Sequence, residues 1–382
     1  MNVHTNSMKH RLSQLPAGHP LRKEMLQMKA LIAMSGGVDS SVAAQIMSSR
    51  GYECVGCTMR LYENDVVGKD LLDTCCSLEN TQDARSVTEK IGIPYHIFHY
   101  ENHFREQVIE PFIDEYLHGR TPNPCIECNR CLKFQHLFEK MKELGCDILV
   151  TGHYARIKYD PESGRYLLLK ALDPAKDQSY VLYMMTQEML SHVQFPLGDQ
   201  DKQRTREIAA EKNFVNAEKH DSQDICFVPD GDYAGFIQRY TGRECPAGDF
   251  VDAEGHVLGR HKGIIHYTLG QRRGLGIPAE HRLFVTKIDP ESNTVTLGSN
   301  EDLMQKTLCA RRINLITTDR IEGSLRCSAK IRYRHKEQPC TVTQPEDDLL
   351  RVEFDQPQRA ITPGQSVVLY DGDIVIGGGI IS

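Results

Sequence analysis

The chain has 382 residues, of which 40% are hydrophobic and 25% charged, and its net charge is −7. This length exceeds one ordinary hydrophobic core, so we expect two or three domains. The negative charge disfavours indiscriminate nucleic-acid binding but allows a local basic groove. No apolar run is long enough to cross a bilayer, and the first 28 residues lack the apolar core of a secretory signal. We therefore expect a cytoplasmic protein, without a membrane partner, that has a disordered extension over residues 1–28.

From Lys29 onward, short apolar runs alternate with helical patterns. Strands joined by helices of this length form parallel βαβ units, so the sequence predicts a doubly wound, parallel α/β sheet over residues 29–215. The predicted strands are KALIAM, YECVGCTM, YHIF and CDILVTGH, and the predicted helices are SSVAAQIMSSR, NTQDARSVTEKIG, NHFREQVIEPFIDEYLHG and the apolar spacing from Phe134 to Leu144.

The pattern changes after about Lys212. Residues 216–281 contain long loops and the glycine-rich stretch GRHKGIIHYTLGQRRGLGIP, which indicate a small central domain. From Arg282 onward, segments with a period of two alternate with turns, among them RLFVTKID, TVTLG, SAKIRYRH and LLRVEFD. Strands at this spacing predict a C-terminal β-barrel over residues 282–382.

Residues 35–40 read SGGVDS and lie between a predicted strand and a predicted helix. Backbone N–H groups and the positive end of a helix hold an anion at such a position, and glycines let the backbone approach phosphate oxygens. Asp39 offers a carboxylate for a magnesium ion that bridges phosphates. The Walker pattern is absent from the sequence. The alternative is a plain strand-to-helix turn in which serine caps the helix.

Thirteen cysteines form a large, odd set, and without an export signal we expect metal, cluster or thiol chemistry rather than a disulfide framework. Cys125, Cys128 and Cys131 form a C-x-x-C-x-x-C run that opens onto a predicted helix. A helix N-terminus and the nearby Arg130 and Lys133 lower the pKa of a thiol and favour its reactive thiolate form. The alternative, cysteines buried as small hydrophobes, fits this polar loop poorly.

A single cysteine elsewhere is more often a buried strand residue than a nucleophile. By itself, Cys226 between Ile225 and Phe227 invites that interpretation, while the adjacent pair Cys75 and Cys76 is undecided. We accept the buried interpretation for six others: Cys54, Cys57, Cys146, Cys309, Cys327 and Cys340.

Several blocks of the sequence resemble one family, and they stand in that family's order. Residues 35–40 resemble the SGG-x-DS loop of the ATP-pyrophosphatase (PP-loop) superfamily, whose members adenylate a carbonyl-type oxygen. With GRTPNPCIECN, LVTGHYAR, AKDQSYVLY, HDSQDICFV, HYTLGQRRGLGI and TPGQSVVLYDGD, the chain is similar to the tRNA-specific 2-thiouridylases from about Lys29 to Ser382. The resemblance implies an adenine-nucleotide alpha-hydrolase-like PP-loop domain, a small central domain and a C-terminal β-barrel, in agreement with the pattern above.

The resemblance implies a tRNA-uridine 2-sulfurtransferase that uses ATP to adenylate the 2-keto oxygen of the wobble uridine in tRNA of the Lys, Glu and Gln type. Sulfur then attacks that carbon, and AMP leaves because it is a better leaving group than the keto oxygen. Cys128 takes the position of the nucleophile, and Cys226 that of the residue carrying a persulfide. A disulfide between them would release sulfide beside the activated base. The implied partners are tRNA and a sulfur-donor protein, either a cysteine desulfurase or a sulfur-relay protein.

The same resemblance implies further site residues. From the residues alone, each candidate tRNA contact has a structural alternative. His153 could be a structural histidine at a strand end, residues 176–178 could form a helix cap, and the basic strand around Arg332 could be a solvated face. The implied ATP contacts, with Mg²⁺ as companion, are Ala33, Met34, Ser35, Gly36, Gly37, Val38, Asp39, Ser40, Met59 and Gly152. The implied contacts to the target base are Asn123, Pro124 and Cys125, and those to the rest of the tRNA are His153, Lys176, Asp177, Gln178, Arg332, Tyr333 and Gln365.

Cys125 departs from a common family pattern that has aspartate at this position, and Cys131 is not general in the family. Cys125, Cys128 and Cys226 would supply three thiolates, which suit a [4Fe–4S] cluster with one open iron for hydrosulfide. Under this hypothesis the cluster replaces the persulfide route.

Two other functions are compatible with parts of the sequence. One is a different PP-loop enzyme, such as an amidotransferase or an argininosuccinate-type ligase, although no glutaminase domain is evident and the cysteines would then have no task. The other is a metal-stabilised RNA-binding module built on the cysteine run and the barrel, which leaves SGGVDS unexplained.

Overall fold

The computed structural model describes residues 28–62, 78–219 and 225–382. The predicted extension over residues 1–28, apart from Met28, and the pair Cys75 and Cys76 thus lie outside the described residues. Within those residues, the structure contains no helix with the length and apolar character needed to span a bilayer. The chain forms two compact units, one of Met1–Arg105, Cys125–Pro229 and Gly372–Val375 and the other of Glu106–Pro124, Asp230–Asp371 and Ile376–Ser382.

The strands of the first unit confirm the predicted parallel sheet. They are β1 (Lys29–Ala33), β2 (Glu53–Arg60), β3 (Tyr95–His99), β4 (Ile148–Val150), β5 (Ala155–Asp160), β6 (Arg165–Lys170) and β7 (Val193–Gln194). The sheet has the order β3-β2-β1-β4-β7, and all its strands are parallel. Ala30, Leu31 and Ile32 of the central strand β1 are completely buried, as expected for a sheet covered on both faces.

The antiparallel hairpin of β5 and β6 is absent from the sequence-based prediction. Its first strand, ARIKYD, is only partly buried, so it lacks the apolar run that reveals the other strands. Ile374 and Val375 pair with Leu169 and Leu168 of β6, which is why the short segment Gly372–Val375 belongs to the first unit.

The four predicted helical stretches are present and include two π-helical segments, whereas the helices Gln187–His192, Lys202–Glu211 and Tyr233–Thr241 were not predicted. Such π-helical segments are rare and are often found at functional sites. The α-helices are α1 (Val38–Ser49), α2 (Leu78–Ile91), α3 (Glu101–Phe104), α4 (Glu110–Leu117), α5 (Pro124–Glu127), α6 (Leu137–Glu143), α7 (Gln187–His192), α8 (Lys202–Glu211) and α9 (Tyr233–Thr241). The π-helices are Arg105–Ile109 and Cys128–His136, and the 3₁₀ helices are Ser179–Leu182, Ile264–His266 and Glu301–Leu303.

The second unit contains a four-stranded sheet and a barrel. Its strands are β8 (Gly248–Val251), β9 (Val257–His261), β10 (Phe284–Asp289), β11 (Thr294–Gly298), β12 (Met304–Leu315), β13 (Ser324–Lys330), β14 (Gln338–Glu346), β15 (Leu349–Arg359), β16 (Ser366–Asp371) and most of β17 (Ile374–Ile381). The barrel strands follow the order β12-β15-β14-β13-β16-β17, and pairing of β12 with β17 closes the barrel. The predicted β-barrel is therefore confirmed.

Strands β10 and β11 were assigned to the barrel by the boundary at residue 282, whereas the structure places them in the four-stranded sheet. That sheet has the order β10-β11-β8-β9. The reason is that β11 pairs in parallel with β8, with Val295 opposite Phe250. Periodicity reveals that these segments are strands, but it does not reveal which strands they pair with.

Candidate active site

The phosphate loop, residues 35–40, lies where the carboxyl ends of three neighbouring strands meet. It follows β1, while Met59 lies near the end of β2 and Gly152 follows β4. In open α/β sheets, ligands bind at this edge. The sheet therefore gathers candidate ATP residues from three separate sequence blocks.

Close backbone packing explains both the glycine in the loop and the glycine after β4. Gly36 has a φ of +77°, and a Cβ there would lie 2.2 Å from the carbonyl oxygen of Asn80. At Gly152 a Cβ would lie 2.7 Å from the backbone nitrogen of Ser40. A side chain at either position would push the loop away from its neighbours.

The start of helix α1 suits an anion. Its N-cap residue is Gly37, which has no side chain to cap the first helical turn. The N–H groups of that turn, together with the positive end of the helix, therefore favour a phosphate. Met34, just before the loop, is buried, and its backbone N–H donates to the Cys57 carbonyl oxygen over 2.7 Å.

Serine hydroxyls tighten the loop from inside. Ser40 Oγ donates to the Gly37 carbonyl over 3.0 Å and accepts from the backbone N–H of Ser35 over 3.2 Å. Ser41 Oγ donates to the same Gly37 carbonyl over 3.1 Å. Ser40 and Ser41 are buried, whereas Ser35 is exposed. Ser35 is thus the loop hydroxyl that a ligand reaches most directly.

Asp39 is held by two residues that the sequence analysis missed. Its Oδ1 accepts a hydrogen bond from Tyr154 Oη over 2.9 Å and forms an ion pair of 2.6 Å with Lys202 Nζ. Tyr154 Oη also lies 2.9 Å from Thr205 Oγ1. Lys202 is 9% exposed, and lysines are buried this deeply only when paired. The sequence gives no signal for this pairing, because 163 positions separate the two residues.

The cysteine run does not start a helix in the predicted way. Helix α5 begins at Pro124, so Cys125 lies in the first turn, and Cys128 lies a turn further along, at the start of a π-helix. Cys125 is exposed, whereas Cys128 and Cys131 are 9% and 5% exposed. The helix-terminus argument therefore applies to Cys125 rather than to Cys128.

The positive charge of Arg130, which was expected to favour the thiolate form of these cysteines, is compensated by a neighbouring carboxylate. Arg130 forms an ion pair with Glu127, with 2.6 Å between Nη2 and Oε2. Cys131 Sγ lies 3.9 Å from the same Glu127 oxygen. Arg130 therefore does not act on the cysteines as an uncompensated positive charge.

Cys226 lies in a turn rather than in a buried strand, and it is half-buried. Its carbonyl oxygen accepts a hydrogen bond from Tyr62 Oη over 3.3 Å. The Tyr62 ring packs on Phe104, and Phe104 packs edge-on against Phe227, with ring centroids 5.9 and 5.6 Å apart. The preceding residues 220–224 lie outside the described part of the chain.

The interpretation as buried strand cysteines is right for Cys54 and Cys57 of β2 and for Cys340 of β14. Burial raises the pKa of Cys54 to about 12 and raises that of Cys57 further, so both stay protonated. The interpretation is wrong for Cys309, which is exposed on β12. Cys327 is half-buried, and its Sγ lies 3.7 Å from that of Cys340. The neighbours of Cys309, Leu308 and Ala310, point into the barrel instead.

His153 lies in the interior rather than at an exposed strand end. Its Nδ1 is 2.7 Å from Thr151 Oγ1, and its ring packs against Phe134 and Phe195. Burial, assisted by the positive charge of Lys133, holds the pKa of His153 well below its ordinary value. The ring is therefore neutral near pH 7, and any contact it makes with tRNA is a neutral hydrogen bond rather than an ion pair.

Residues 176–178 support the backbone around them. Asp177 Oδ1 accepts from the backbone N–H groups of Ala171 and Ser179, over 3.1 and 3.2 Å, ahead of the 3₁₀ helix Ser179–Leu182. The Gln178 side chain accepts from the N–H of Tyr154 over 2.9 Å. Asp177 therefore holds the turn before this 3₁₀ helix, whose N-cap residue is Gln178 and has no side-chain cap hydrogen bond. Lys176 is partly exposed beside it.

In the second unit, Arg332 and Tyr333 lie in the turn after β13 rather than on the predicted strand, because the partner strand β14 begins only at Gln338. Arg332 Nη2 donates to the carbonyl oxygens of Arg359 and Ala360, each over 2.7 Å. Tyr333 is 38% exposed.

Gln365 lies next to the segment that leads to Asn123 and Pro124. Its Nε2 donates to the Thr121 carbonyl oxygen over 2.8 Å, and the backbone N–H of Thr121 donates to Pro363 over 2.9 Å. The barrel loop therefore holds the chain just before the candidate base contacts.

Within the part of the chain that the structure describes, one group of ligating side chains lies close enough together to share a metal ion: Asp252, Glu254 and His256. These residues lie on an exposed turn between β8 and β9. Cys125, Cys128 and Cys226 are not gathered in such a group, and the cluster stays a prediction.

Comparison with known proteins covers almost the whole chain. Residues 28–230 match a family model described as a tRNA methyl transferase HUP domain, residues 234–299 its PRC-barrel domain, and residues 305–381 an aminomethyltransferase β-barrel domain. The tRNA-specific 2-thiouridylase MnmA of Clostridioides difficile (strain 630) is 50% identical over 92% of this chain and 98% of its own length. That of Acetivibrio thermocellus is 50% identical over 94% of this chain and 100% of its own length.

The chain belongs to the tRNA-specific 2-thiouridylase family. Two of the family models are described as tRNA methyl transferase domains, whereas the relatives that match over more than nine-tenths of this chain are thiouridylases. The junction between the central and barrel family models agrees with the strand pairing. The central model ends at residue 299, just after β11, and the barrel model begins at residue 305, within β12.

The packing at Gly36 predicts a specific loss of nucleotide binding. Gly36→Ala should abolish the rise in melting temperature that MgATP produces, because the new Cβ collides with the Asn80 backbone. Gly145→Ala is the matched control: Gly145 also has a positive φ, of +64°, but a Cβ there meets nothing within 4 Å. That variant should lose only about 1 to 2 kcal/mol of unfolding free energy and keep the MgATP response. An equal response in both variants would contradict the account.

The neutral His153 predicts a pH dependence of stability. Its pKa in the folded chain lies below that of the unfolded chain, so below about pH 6.5 the unfolded chain binds a proton that the folded chain does not. The free energy of unfolding should therefore fall as the pH drops below about 6.5. In urea titrations, His153→Asn should flatten this slope. Near pH 8, where the histidine is neutral in both states, the substitution should change the free energy of unfolding by an amount that does not depend on pH. An unchanged slope would mean that another group causes it.

Proposed function

We propose that this protein is an ATP-dependent tRNA 2-thiouridylase that adenylates the 2-keto oxygen of a tRNA wobble uridine and replaces that oxygen with sulfur. The family membership carries the reaction class. The observation that carries the nucleotide chemistry is the phosphate loop, packed against Asn80 and Gly152 at the carboxyl edge of the parallel sheet. We place the reaction in the cytoplasm, where tRNA and ATP are at hand.

ATP would lie with its phosphates at the start of helix α1. The first-turn N–H groups and the Ser35 hydroxyl would hold the phosphates. Asp39 fits a magnesium ion, because carboxylate oxygens and phosphate oxygens together are its usual ligands, and the ion would neutralise charge on the departing pyrophosphate. Lys202, already paired with Asp39, would hold that carboxylate in place.

In the first chemical step, the uridine O2 attacks the α-phosphorus and pyrophosphate leaves. In the second step, the thiolate of Cys128 attacks the inner sulfur of a persulfide on Cys226, which forms a Cys128–Cys226 disulfide and releases hydrosulfide. Hydrosulfide attacks the C2 carbon, and AMP leaves with the original oxygen. A thiol reductant must then reopen the disulfide before the next turnover.

The exposure of the cysteines supports this division of tasks. Cys226 is half-buried in a turn, so a sulfur-donor protein, which we take to be a cysteine desulfurase or a sulfur-relay protein, can reach it. Cys128 is buried, which suits a thiol that reacts only with a substrate brought to it. The exposed Cys125 precedes it and, with Asn123 and Pro124, is proposed to contact the target base.

Several residues are proposed to contact the tRNA. Tyr333 is exposed and can stack on a base or sugar. Lys176, partly exposed, suits a phosphate. His153 and Gln178 would donate or accept neutral hydrogen bonds, while Asp177, Arg332 and Gln365 also hold the protein backbone around these contacts.

The test is formation of 2-thiouridine from protein, MgATP, unmodified tRNA and a sulfur donor, followed by mass spectrometry. Cys128→Ser and Cys226→Ser should each lower the rate by at least about a thousandfold while tRNA-dependent pyrophosphate release continues, since adenylation uses neither thiol. Cys309→Ser is the control, because Cys309 is more exposed than Cys128 or Cys226 but lies on the barrel.

Three results would overturn parts of this proposal. Full thiolation by Cys128→Ser or Cys226→Ser would remove the persulfide mechanism. If protein purified without oxygen contains iron, and the Cys125→Ser variant lacks it, the three-cysteine cluster would take the place of the persulfide in the mechanism. Pyrophosphate release that depends on an amino acid instead of tRNA would indicate a PP-loop ligase.

A further inference from the structure

Residues 270–274, GQRRG, form a loop that is held by its own hydrogen bonds and carries two exposed arginines. Gln271 Nε2 donates to the Arg273 carbonyl oxygen over 3.1 Å. The backbone N–H of Val285 donates to the Gln271 carbonyl oxygen over 3.0 Å, which ties the loop to strand β10. Arg272 and Arg273 are both exposed. This basic loop therefore presents two positive side chains on an ordered backbone.

The barrel loop that ends β15, residues 359–365, contacts the basic loop directly. Arg359 Nη2 donates to the Gly270 carbonyl oxygen over 3.2 Å. A Cβ at Gly270 would lie 2.9 Å from the Cβ of Ala360, so the two loops touch there. The carbonyl oxygens of Arg359 and Ala360 also accept the hydrogen bonds that Arg332 Nη2 donates. The basic loop and the turn that carries Arg332 are thus held by the same two residues of the barrel.

The barrel loop also holds the segment of candidate base contacts. Gln365 Nε2 donates to the Thr121 carbonyl oxygen over 2.8 Å, two residues before Asn123. All of these residues belong to the second compact unit. Within that unit, one loop of the barrel therefore connects the basic loop with the turn at Arg332 and with the candidate base contacts.

Positive side chains on the basic loop and on the turn after β13 lack a compensating charge. Four of them are exposed and have no ion-pair partner among the residues that the structure describes: Arg272, Arg273, Arg334 and Lys336. In a chain with a net charge of −7, they form a local excess of positive charge. Tyr333, which is 38% exposed, lies in the same turn.

Unpaired guanidinium and ammonium groups on an ordered backbone suit the phosphates of a nucleic acid. A guanidinium can donate two N–H groups to one phosphate, and binding releases the counterions that the phosphates held. An acidic protein surface would also be attracted to these charges. The exposed tyrosine beside them favours RNA, because unpaired bases stack on aromatic rings.

We propose that Arg272 and Arg273 of the basic loop, together with Arg334 and Lys336, bind backbone phosphates of the tRNA. The inference rests on the proposed function in taking tRNA as the substrate, and it adds the central domain to the proposed tRNA surface. Phosphate contacts carry no direct sequence information. These four side chains therefore supply affinity and orientation, whereas the choice of uridine stays with the residues at the target base.

The test measures the affinity for unmodified tRNA by fluorescence anisotropy across a series of KCl concentrations. The double variant Arg272→Gln/Arg273→Gln should reduce the steepness of log K against log[KCl] by about 1.4 to 1.8, because each lost phosphate contact removes about 0.7 to 0.9. At about 0.1 M KCl, its binding should be weaker by about 30-fold. In 2-thiouridine formation, KM for tRNA should rise while kcat stays unchanged, because these contacts do not touch the reacting atoms.

Two matched variants separate phosphate binding from other effects of the substitutions. Arg272→Lys/Arg273→Lys keeps both charges and should keep most of the salt dependence. Arg311→Gln/Arg320→Gln removes the same number of charges at the end of β14 far from Lys336, where both arginines pair with carboxylates. That variant should keep the full salt dependence.

An equal salt dependence in the unchanged protein and in Arg272→Gln/Arg273→Gln would overturn this inference and leave the proposed function standing. Loss of sulfur transfer from the donor protein, with tRNA affinity unchanged, would also overturn it and would assign the surface to that protein. If the unchanged protein does not bind tRNA, the proposed function fails together with this inference.

Discussion

At Gly36 the backbone runs so close to the start of helix α2 that a Cβ would lie 2.2 Å from the Asn80 carbonyl oxygen, and at Gly152 a Cβ would lie 2.7 Å from Ser40 N. These two contacts hold the loop against the start of helix α2 and against the segment that follows β4. They fix the direction of the first N–H groups of α1, which are the groups proposed to hold the phosphates. Asn216 and Lys219 attach to the same loop or to Asn80, so the position of the segment from Asn216 to Lys219 also depends on this packing.

Charge at the site is arranged around Asp39. A buried lysine is costly unless a carboxylate faces it, and Lys202 has Asp39 at 2.6 Å. The pair fixes the Asp39 carboxylate before any ligand arrives. The thiols, in contrast, are kept in separate surroundings: Cys128 is buried in a π-helix, while Cys226 is half-exposed in a turn. In the proposed mechanism, adenylation and sulfur delivery thus use different side chains within one unit.

The sheet, the loop and the barrel were predictable from the sequence because each leaves a local pattern: apolar runs, SGGVDS, and strands with a period of two. Strand partners leave no such pattern, which is why β10 and β11 were assigned to the wrong sheet. Cys309 was expected inside because a lone cysteine does not reveal which face of a strand it occupies. Tyr154, Lys202 and Asn216 act through partners 115 to 180 positions away, which no motif spacing reveals.

The central claim, that ATP activates the 2-keto oxygen of the target uridine, can be tested by following that oxygen. A tRNA carrying ¹⁸O at C2 of the wobble uridine is thiolated in ordinary water, and the products are examined by mass spectrometry. The account predicts that the ¹⁸O appears in the phosphate of AMP, one atom for each 2-thiouridine formed. Label found in water or in pyrophosphate, with unlabelled AMP, would contradict it.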